Sequence, residues 1–200
     1  MTLTPAPNLI GLVLAGGNSR RMGADKGELR YRGVAQARYF WELLSGQLGR
    51  CYVSVNAGQR TLDTYADLPL IVDSEPRQGP ATGLLAAYEA EPEAAWLVAA
   101  VDLVRIDGTA VSTLIRGRQS TAAATAMRHE DGTIEPYFAI WEPRALALLA
   151  ARVAEGDTSA RRCLESIDVD ILGCPGPQVL ESVNSPSERE ALLSEIYPVT

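Results

Sequence analysis

A glycine-rich segment near the amino end combines a flexible backbone with positive charge. Residues 14–26 read Leu-Ala-Gly-Gly-Asn-Ser-Arg-Arg-Met-Gly-Ala-Asp-Lys. Its glycines allow the main chain to approach a ligand and to offer amide hydrogens to phosphate oxygens; they are Gly16, Gly17 and Gly23. Three cations lie within seven residues: Arg20, Arg21 and Lys26. Because phosphoryl transfer depends mainly on positioning and charge neutralisation, the segment predicts a triphosphate site.

The spacing of this segment differs from that of two common phosphate loops. It fits neither G-x-x-x-x-G-K-[ST] nor G-x-G-x-x-G. The alternative is an ordinary connection between a strand and a helix, with charges that face solvent.

Polar residues follow three predicted strands. Asn56, Asp73 and Asp102 each end an apolar run, and the carboxyl ends of parallel strands border the crevice where such sheets bind ligands. A carboxylate at the end of a buried strand is costly unless it is paired or binds metal, and Mg²⁺ takes one or two carboxylates together with phosphate oxygens. The alternative for each residue is a turn or a turn cap.

The elements that position these residues alternate between short apolar runs and helical periods. Strands are predicted at 9–14, 51–55, 69–72 and 95–101, and helices at 34–48, 80–90 and 107–117. A hairpin is predicted from 121–128 and 133–141, followed by a helix at 143–154, short segments at 167–172 and 180–183, and a helix at 185–196. The pattern predicts one α/β domain over 1–200, in which helices cover both faces of a mostly parallel sheet with a small antiparallel hairpin portion.

Composition limits the classes of function. The 200 residues carry a net charge of −7, which argues against nonspecific binding to nucleic acid or membranes. Cys51, Cys163 and Cys174 have no metal-site spacing and indicate reduced thiols. The amino end has no signal-peptide pattern and the apolar runs are too short to span a bilayer, so we expect a cytoplasmic protein.

The whole pattern of residues 14–26 closely resembles the signature of nucleotidyltransferases that act on molybdenum cofactor, and the nearest match is the guanylyltransferase family. Further motifs that resemble the family follow in order, ending with Glu-Ser-Val-Asn-Ser-Pro at 181–186. The resemblance covers residues 9–141 and 181–193. It implies a three-layer α/β/α Rossmann-like nucleotidyltransferase fold.

The resemblance also implies an activity and a site. GMP would pass from GTP to the phosphate of molybdenum-molybdopterin, with Mg²⁺ as cofactor and with proteins that deliver the cofactor or accept it as possible partners. Catalysis would fall to Arg21, Lys26 and Asp102. The nucleotide would contact Leu14, Ala15, Gly16, Gly17, Arg21, Lys26, Asn56, Asp73 and Asp102, with backbone amides of 14–17 on the phosphates. Asp102 and Asn184 would contact the metal. Ser185, Pro186 and Glu188 also predict a capping box that would present Asn184.

One segment departs from the family. Where relatives read Asp-x-Pro, this chain reads Asp102-Leu-Val-Arg105. Loss of the proline frees the backbone beside the metal site, and Arg105 would contact the pyrophosphate or cofactor, or face solvent. One alternative is a different transferase on the same scaffold, either a cytidylyltransferase for the same cofactor or another NTP transferase such as a sugar-phosphate nucleotidyltransferase. The other is a noncatalytic nucleotide-binding or partner-binding relative in which this segment has lost metal chemistry.

Overall fold

The computed structural model describes residues 8–16, 24–73, 79, 81–176 and 178–196. The strands in this part of the chain are β1 (Leu9–Leu14), β2 (Cys51–Asn56), β3 (Leu70–Asp73), β4 (Ala95–Ala100), β5 (Ala124–Arg128), β6 (Ile134–Trp141) and β7 (Val169–Leu172). The α-helices are α1 (Gln36–Leu48), α2 (Ala81–Ala90), α3 (Gly108–Gly117), α4 (Pro143–Ala154), α5 (Ala160–Glu165) and α6 (Pro186–Ile196).

The strands form one sheet in the order β3-β2-β1-β4-β6-β5-β7. Strand β6 pairs antiparallel with β4 and β5, and the other pairings are parallel. From β1 the chain runs through α1 to β2 and on to β3, and it then crosses back through α2 from β3 to β4, on the other side of β1. The sheet therefore changes winding direction beside β1, and ligands of open α/β sheets bind at such a point.

Helices cover the sheet in two layers. Helix α1 packs against β1, β2 and α3, while α2 packs against α4, and α4 against α5. Because right-handed crossovers that run in opposite directions along a sheet lie on opposite faces, α1 and α2 lie on opposite sides. The predicted three-layer α/β/α architecture is confirmed. None of the helices in the described ranges is long and apolar enough to cross a bilayer.

Buried apolar runs explain the central strands. Every residue of β4 is buried, and Ile10, Leu12 and Val13 of β1 are fully inaccessible, as expected for strands covered on both faces. Polar caps then fix several helix starts. The Asp107 side chain accepts a hydrogen bond from the Ala110 amide (2.9 Å), and Pro143 occupies the first turn of α4.

Two short regions differ from the sequence-based expectation. Helix α5 was not predicted as a separate element; its six residues are too few for a helical period to be recognised. The segment 180–183 forms a turn followed by irregular chain, and its residues contact the site described below. Cys51, Cys163 and Cys174 are free thiols in the structure.

Candidate nucleotide site

The carboxyl ends of β1, β2, β3 and β4 meet at one edge of the sheet. Leu14 lies between Ser54 on β2 and Ala100 on β4 in the strand register. Asn56 pairs with Asp73 at the ends of β2 and β3. Asp102 follows β4 by two residues at the same edge. The polar residues selected from the sequence therefore share one rim, because the strands that carry them are parallel.

Lys26 crosses this rim and joins two of the predicted site residues. Its Nζ donates to Asp102 Oδ2 at 3.0 Å and to Asn184 Oδ1 at 2.6 Å. The side chains of Lys26 and Asp102 are 20% and 27% exposed, so the pair remains open to a ligand. Two oxygen atoms from distant parts of the chain thus converge on one cationic nitrogen.

A capping box holds Asn184 in place, as predicted. The Ser185 Oγ accepts from the Glu188 amide (3.3 Å), and Glu188 Oε2 accepts from the amides of Ser185 (3.0 Å) and Asn184 (2.6 Å). These amide bonds lower the pKa of the Glu188 carboxyl. The Val183 amide also donates to the Asp102 carbonyl (2.9 Å), which fixes the segment beside Asp102.

The backbone amides at the end of β1 are already engaged. Those of Ala15 and Gly16 both donate to the Ser54 carbonyl, at 3.0 and 2.9 Å. In the structure as described these two amides pair with β2, because that pairing continues past the last residue of β1. Gly17, Arg20, Arg21 and Gly23 lie outside the described residues.

Asp73 faces the same corner of the site. Its Oδ1 accepts from Ser54 Oγ (3.2 Å), and its Oδ2 lies 3.3 Å from the point where a Cβ on Gly16 would stand. A side chain at position 16 would therefore press on this carboxylate. Burial raises the pKa of Asp73, and the Ser54 bond opposes that shift.

Sequence reasoning missed a hydrogen-bond network behind Lys26. Gln59 donates through Nε2 to the Ala15 carbonyl (2.9 Å) and to Asp25 Oδ2, and its Oε1 accepts from the Asn56 amide (2.9 Å). Asp25 Oδ1 accepts from Tyr65 Oη and from the Gly27 amide, both at 2.7 Å. Burial and the Asp25 carboxylate raise the pKa of the Tyr65 phenol, which keeps it a donor. No spacing in the sequence indicates these contacts.

Residues 11–171 match the MobA-like NTP transferase domain. The chain belongs to this family. A molybdenum cofactor biosynthesis bifunctional protein from Synechocystis sp. is 31% identical over 181 residues, covering 90% of this chain and 52% of that protein. This chain thus spans about half of the bifunctional relative. A molybdenum cofactor guanylyltransferase from Pseudomonas aeruginosa is 28% identical over 177 residues, covering 88% of this chain and 89% of the relative.

Solved structures agree on the fold. Molybdopterin-guanine dinucleotide biosynthesis protein A from Archaeoglobus fulgidus superposes with a TM-score of 0.77 and 18% identity, covering 94% of this chain and 99% of that one.

The segment that departs from the family's Asp-x-Pro pattern is held by other contacts. Val104 is 1% exposed and packs in a small cluster with Tyr31, Val183 and Leu192. Arg105 pairs with Glu195 on α6 through both terminal nitrogens (2.8 and 2.5 Å) and lies 3.6 Å from Glu181. Arg105 therefore binds the protein itself rather than solvent, and the segment is anchored without the proline.

Proposed function

We propose that this protein transfers GMP from GTP to the phosphate of molybdenum-bound molybdopterin and releases pyrophosphate. The observation that carries the proposal is the convergence of Lys26 Nζ, Asp102 Oδ2 and Asn184 Oδ1 at the edge of the sheet. The acceptor and the guanine nucleotide are those of the molybdenum cofactor guanylyltransferases that the chain resembles. In this reaction an oxygen of the pterin phosphate bonds to the α-phosphorus, and the bond from the α-phosphorus to the bridging oxygen breaks as pyrophosphate leaves with the electron pair.

Alignment and electrostatics account for the catalysis. The attacking phosphate is already ionised at neutral pH, so no side-chain base has to create the nucleophile. Lys26 neutralises phosphate charge, and we assign Arg21, outside the described residues, to the same task. A preorganised cation at the developing charge lowers the barrier because the charge is already in place when the reaction begins.

Asp102 and Asn184 fit a Mg²⁺ ion. Both offer oxygen atoms, the ligand type that Mg²⁺ prefers, and both oxygens already approach a single cationic atom. The described residues contain no cluster of three or more His, Cys, Asp and Glu side chains that could enclose a metal. A metal held by Asp102 and Asn184 would complete its shell with phosphate oxygens and water, and would withdraw charge from the reacting phosphate.

The base and ribose would lie toward β2 and β3. There we place the nucleoside against Leu14, Ala15, Gly16, Asn56 and Asp73. Asn56 Oδ1 accepts from the amides of Gly58 (3.0 Å) and Gln59 (3.1 Å), which fixes its orientation. Asp73 Oδ2 would accept hydrogen bonds from guanine N–H groups or from a ribose hydroxyl.

The acceptor would lie on the other side of Asp102, toward β6. This strand is antiparallel to β4, so its amino end reaches the edge where β4 ends. Burial, with a smaller contribution from the Glu135 carboxylate, raises the pKa of Tyr137 on this strand to about 12. Nucleotide and acceptor would thus approach the metal site from opposite sides.

Pyrophosphate release tests the proposal. The protein, Mg²⁺ and molybdenum cofactor are combined with GTP, CTP or ATP, and product is measured for each nucleotide. Release with GTP and a guanine dinucleotide product would support the assignment. Release with CTP alone would identify a cytidylyltransferase, and a signal with none of them would favour a noncatalytic relative.

We also infer a cytoplasmic protein that exchanges the cofactor with partner proteins. The free thiols of Cys51, Cys163 and Cys174 suit a reducing compartment. A labile acceptor favours handover from an upstream protein and to a molybdoenzyme. Affinity purification from cells that assemble molybdoenzymes tests this, and recovery of the protein without such partners would oppose it.

A further inference from the structure

Gln59 occupies a buried position behind the proposed phosphate site. It is 6% exposed, and its side chain contacts three segments that are far apart in sequence. Nε2 donates to the carbonyl of Ala15, which follows β1, and to the carboxylate of Asp25. Oε1 accepts from the backbone amide of Asn56 at the end of β2. Buried amide side chains are costly unless their hydrogen bonds are made, and this one is satisfied at both ends.

The Asp25 carboxylate is the centre of the same network. One oxygen accepts from Tyr65 and Gly27, and the other accepts from Gln59. The turn that follows is closed by a hydrogen bond from the Glu28 amide to the Asp25 carbonyl (3.2 Å). A Cβ on Gly27 would stand only 2.2 Å from Tyr65 Oη, so the turn lies directly against the phenol.

Lys26 is the next residue along this turn. Its side chain must extend from a fixed backbone to reach Asp102 and Asn184. A charged group that is displaced by about 1 Å can cost about a hundredfold in rate. The network therefore acts at the base of the side chain whose far end holds the phosphates.

We propose that Gln59 and Tyr65 are positioning residues that hold Asp25 and thereby aim Lys26 at the triphosphate. The inference rests on the proposed function for its kinetic part only. The placement of Lys26 in the free protein can be measured without any substrate, because Lys26 is the only lysine in the chain.

Exchanging the carboxylate and the amide between positions 25 and 59 tests whether Gln59 positions Asp25 or only supports the fold. Gln59→Glu places a second carboxylate against Asp25 and removes the donor. Adding Asp25→Asn restores one donor and one acceptor across the contact between residues 25 and 59, while the remaining oxygen of residue 25 can still accept from Tyr65 and Gly27. The Ala15 carbonyl still lacks its donor in both variants, so the double variant should recover only the part of the loss that passes through residue 25.

Two measurements follow each variant. Acylation of Lys26 by a small amine reagent is quantified by mass spectrometry in the free protein, and pyrophosphate release gives kcat and KM. For Gln59→Glu we expect Lys26 labelling to rise about fivefold and kcat/KM to fall about tenfold to a hundredfold. The double variant should regain at least half of the loss on a logarithmic scale.

Two further variants keep the test decisive. Tyr65→Phe removes one hydrogen bond with little change of shape, and it should lower kcat/KM about threefold to tenfold even if Gln59→Glu does not fold. Gln47→Glu is the matched control, because Gln47 of α1 also uses both ends of its amide, donating to the Gly108 carbonyl and accepting from Ser112 Oγ of α3 on an exposed face. It should leave both readouts unchanged.

The outcomes distinguish the two proposals. If the wild type releases no pyrophosphate with any nucleotide, the proposed function fails, while the labelling comparison still tests the positioning. Labelling of Lys26 at the wild-type rate in both Gln59→Glu and Tyr65→Phe would overturn the positioning inference. A double variant no better than Gln59→Glu would also overturn it, because the loss would not pass through the contact with Asp25.

Discussion

Replacing Lys26 with methionine distinguishes the role of this residue in the reaction from its contribution to the stability of the fold. Methionine keeps much of the length and apolar character of the side chain but removes the ammonium. The contact with Asp102 is partly exposed, with side chains at 20% and 27%, and ion pairs of this kind contribute about 0.2–1 kcal/mol. For a chain of this size such a loss lowers Tm by about 2–4 °C at most.

The cost to the reaction should be much larger. Removal of one preorganised donor from developing charge costs about a hundredfold to a thousandfold in kcat, or about 2.7–4 kcal/mol. The stability and rate effects therefore differ by several-fold in free energy, and the two can be told apart.

Pyrophosphate release at saturating nucleotide and a thermal melt of the same samples provide the measurement. Arg50→Met is the control, since Arg50 pairs with Glu91 at the opposite edge of the sheet and is exposed. It should match Lys26→Met in Tm but retain full turnover. A Lys26→Met rate within threefold of wild type would refute the role of Lys26 in the reaction. A loss of Tm above about 10 °C would refute the inference that Lys26 contributes little to the stability of the fold.

Other substitutions test packing and charge. Gly83→Ala should cost about 1–3 kcal/mol in urea unfolding, because the new Cβ would stand 2.5 Å from Ser54 Oγ. Arg118→Met should cost about 3–5 kcal/mol, since it leaves the Glu142 carboxylate, 3% exposed, without its bidentate partner; a cost below that of Arg50→Met would contradict this. Burial raises the pKa of Asp73, so its ionised form weakens the fold at neutral pH and this penalty disappears as pH falls through the folded pKa. Asp73→Asn should therefore be more stable than wild type at pH 7, with a difference that shrinks toward pH 4, and should bind GTP more weakly; equal urea midpoints at pH 7 would oppose it.

Periodicity and strand polarity explain what could be predicted from the sequence. Continuous apolar runs located the central strands, and parallel pairing then required Asn56, Asp73 and Asp102 to share an edge. The capping box at Ser185 was also predictable, since it depends on three residues within one turn. These features are local, or follow from a single topological rule.

Contacts that depend on exact register were beyond the sequence. The Gly16 amide donates to the Ser54 carbonyl because pairing with β2 continues beyond the end of β1. The residue types in this segment do not indicate how far that pairing extends. The same holds for Gln59 and for the pairing of Arg105 with Glu195, whose partners are distant in the chain. Asn184 was selected only through resemblance to the family, because 158 residues separate it from Lys26.

The 158 residues between Lys26 and Asn184 mean that the two sides of the site are synthesised at different times. All seven strands of the described sheet are complete by Leu172, and Lys26 and Asp102 can pair as soon as β4 has joined β1. The amide oxygen of Asn184 arrives only when the capping box of α6 forms. A chain that stops after Leu172 would therefore carry every strand of the described sheet but would lack Asn184, and its cation site would be incomplete. We expect such a chain to bind nucleotide more weakly than the full sequence does.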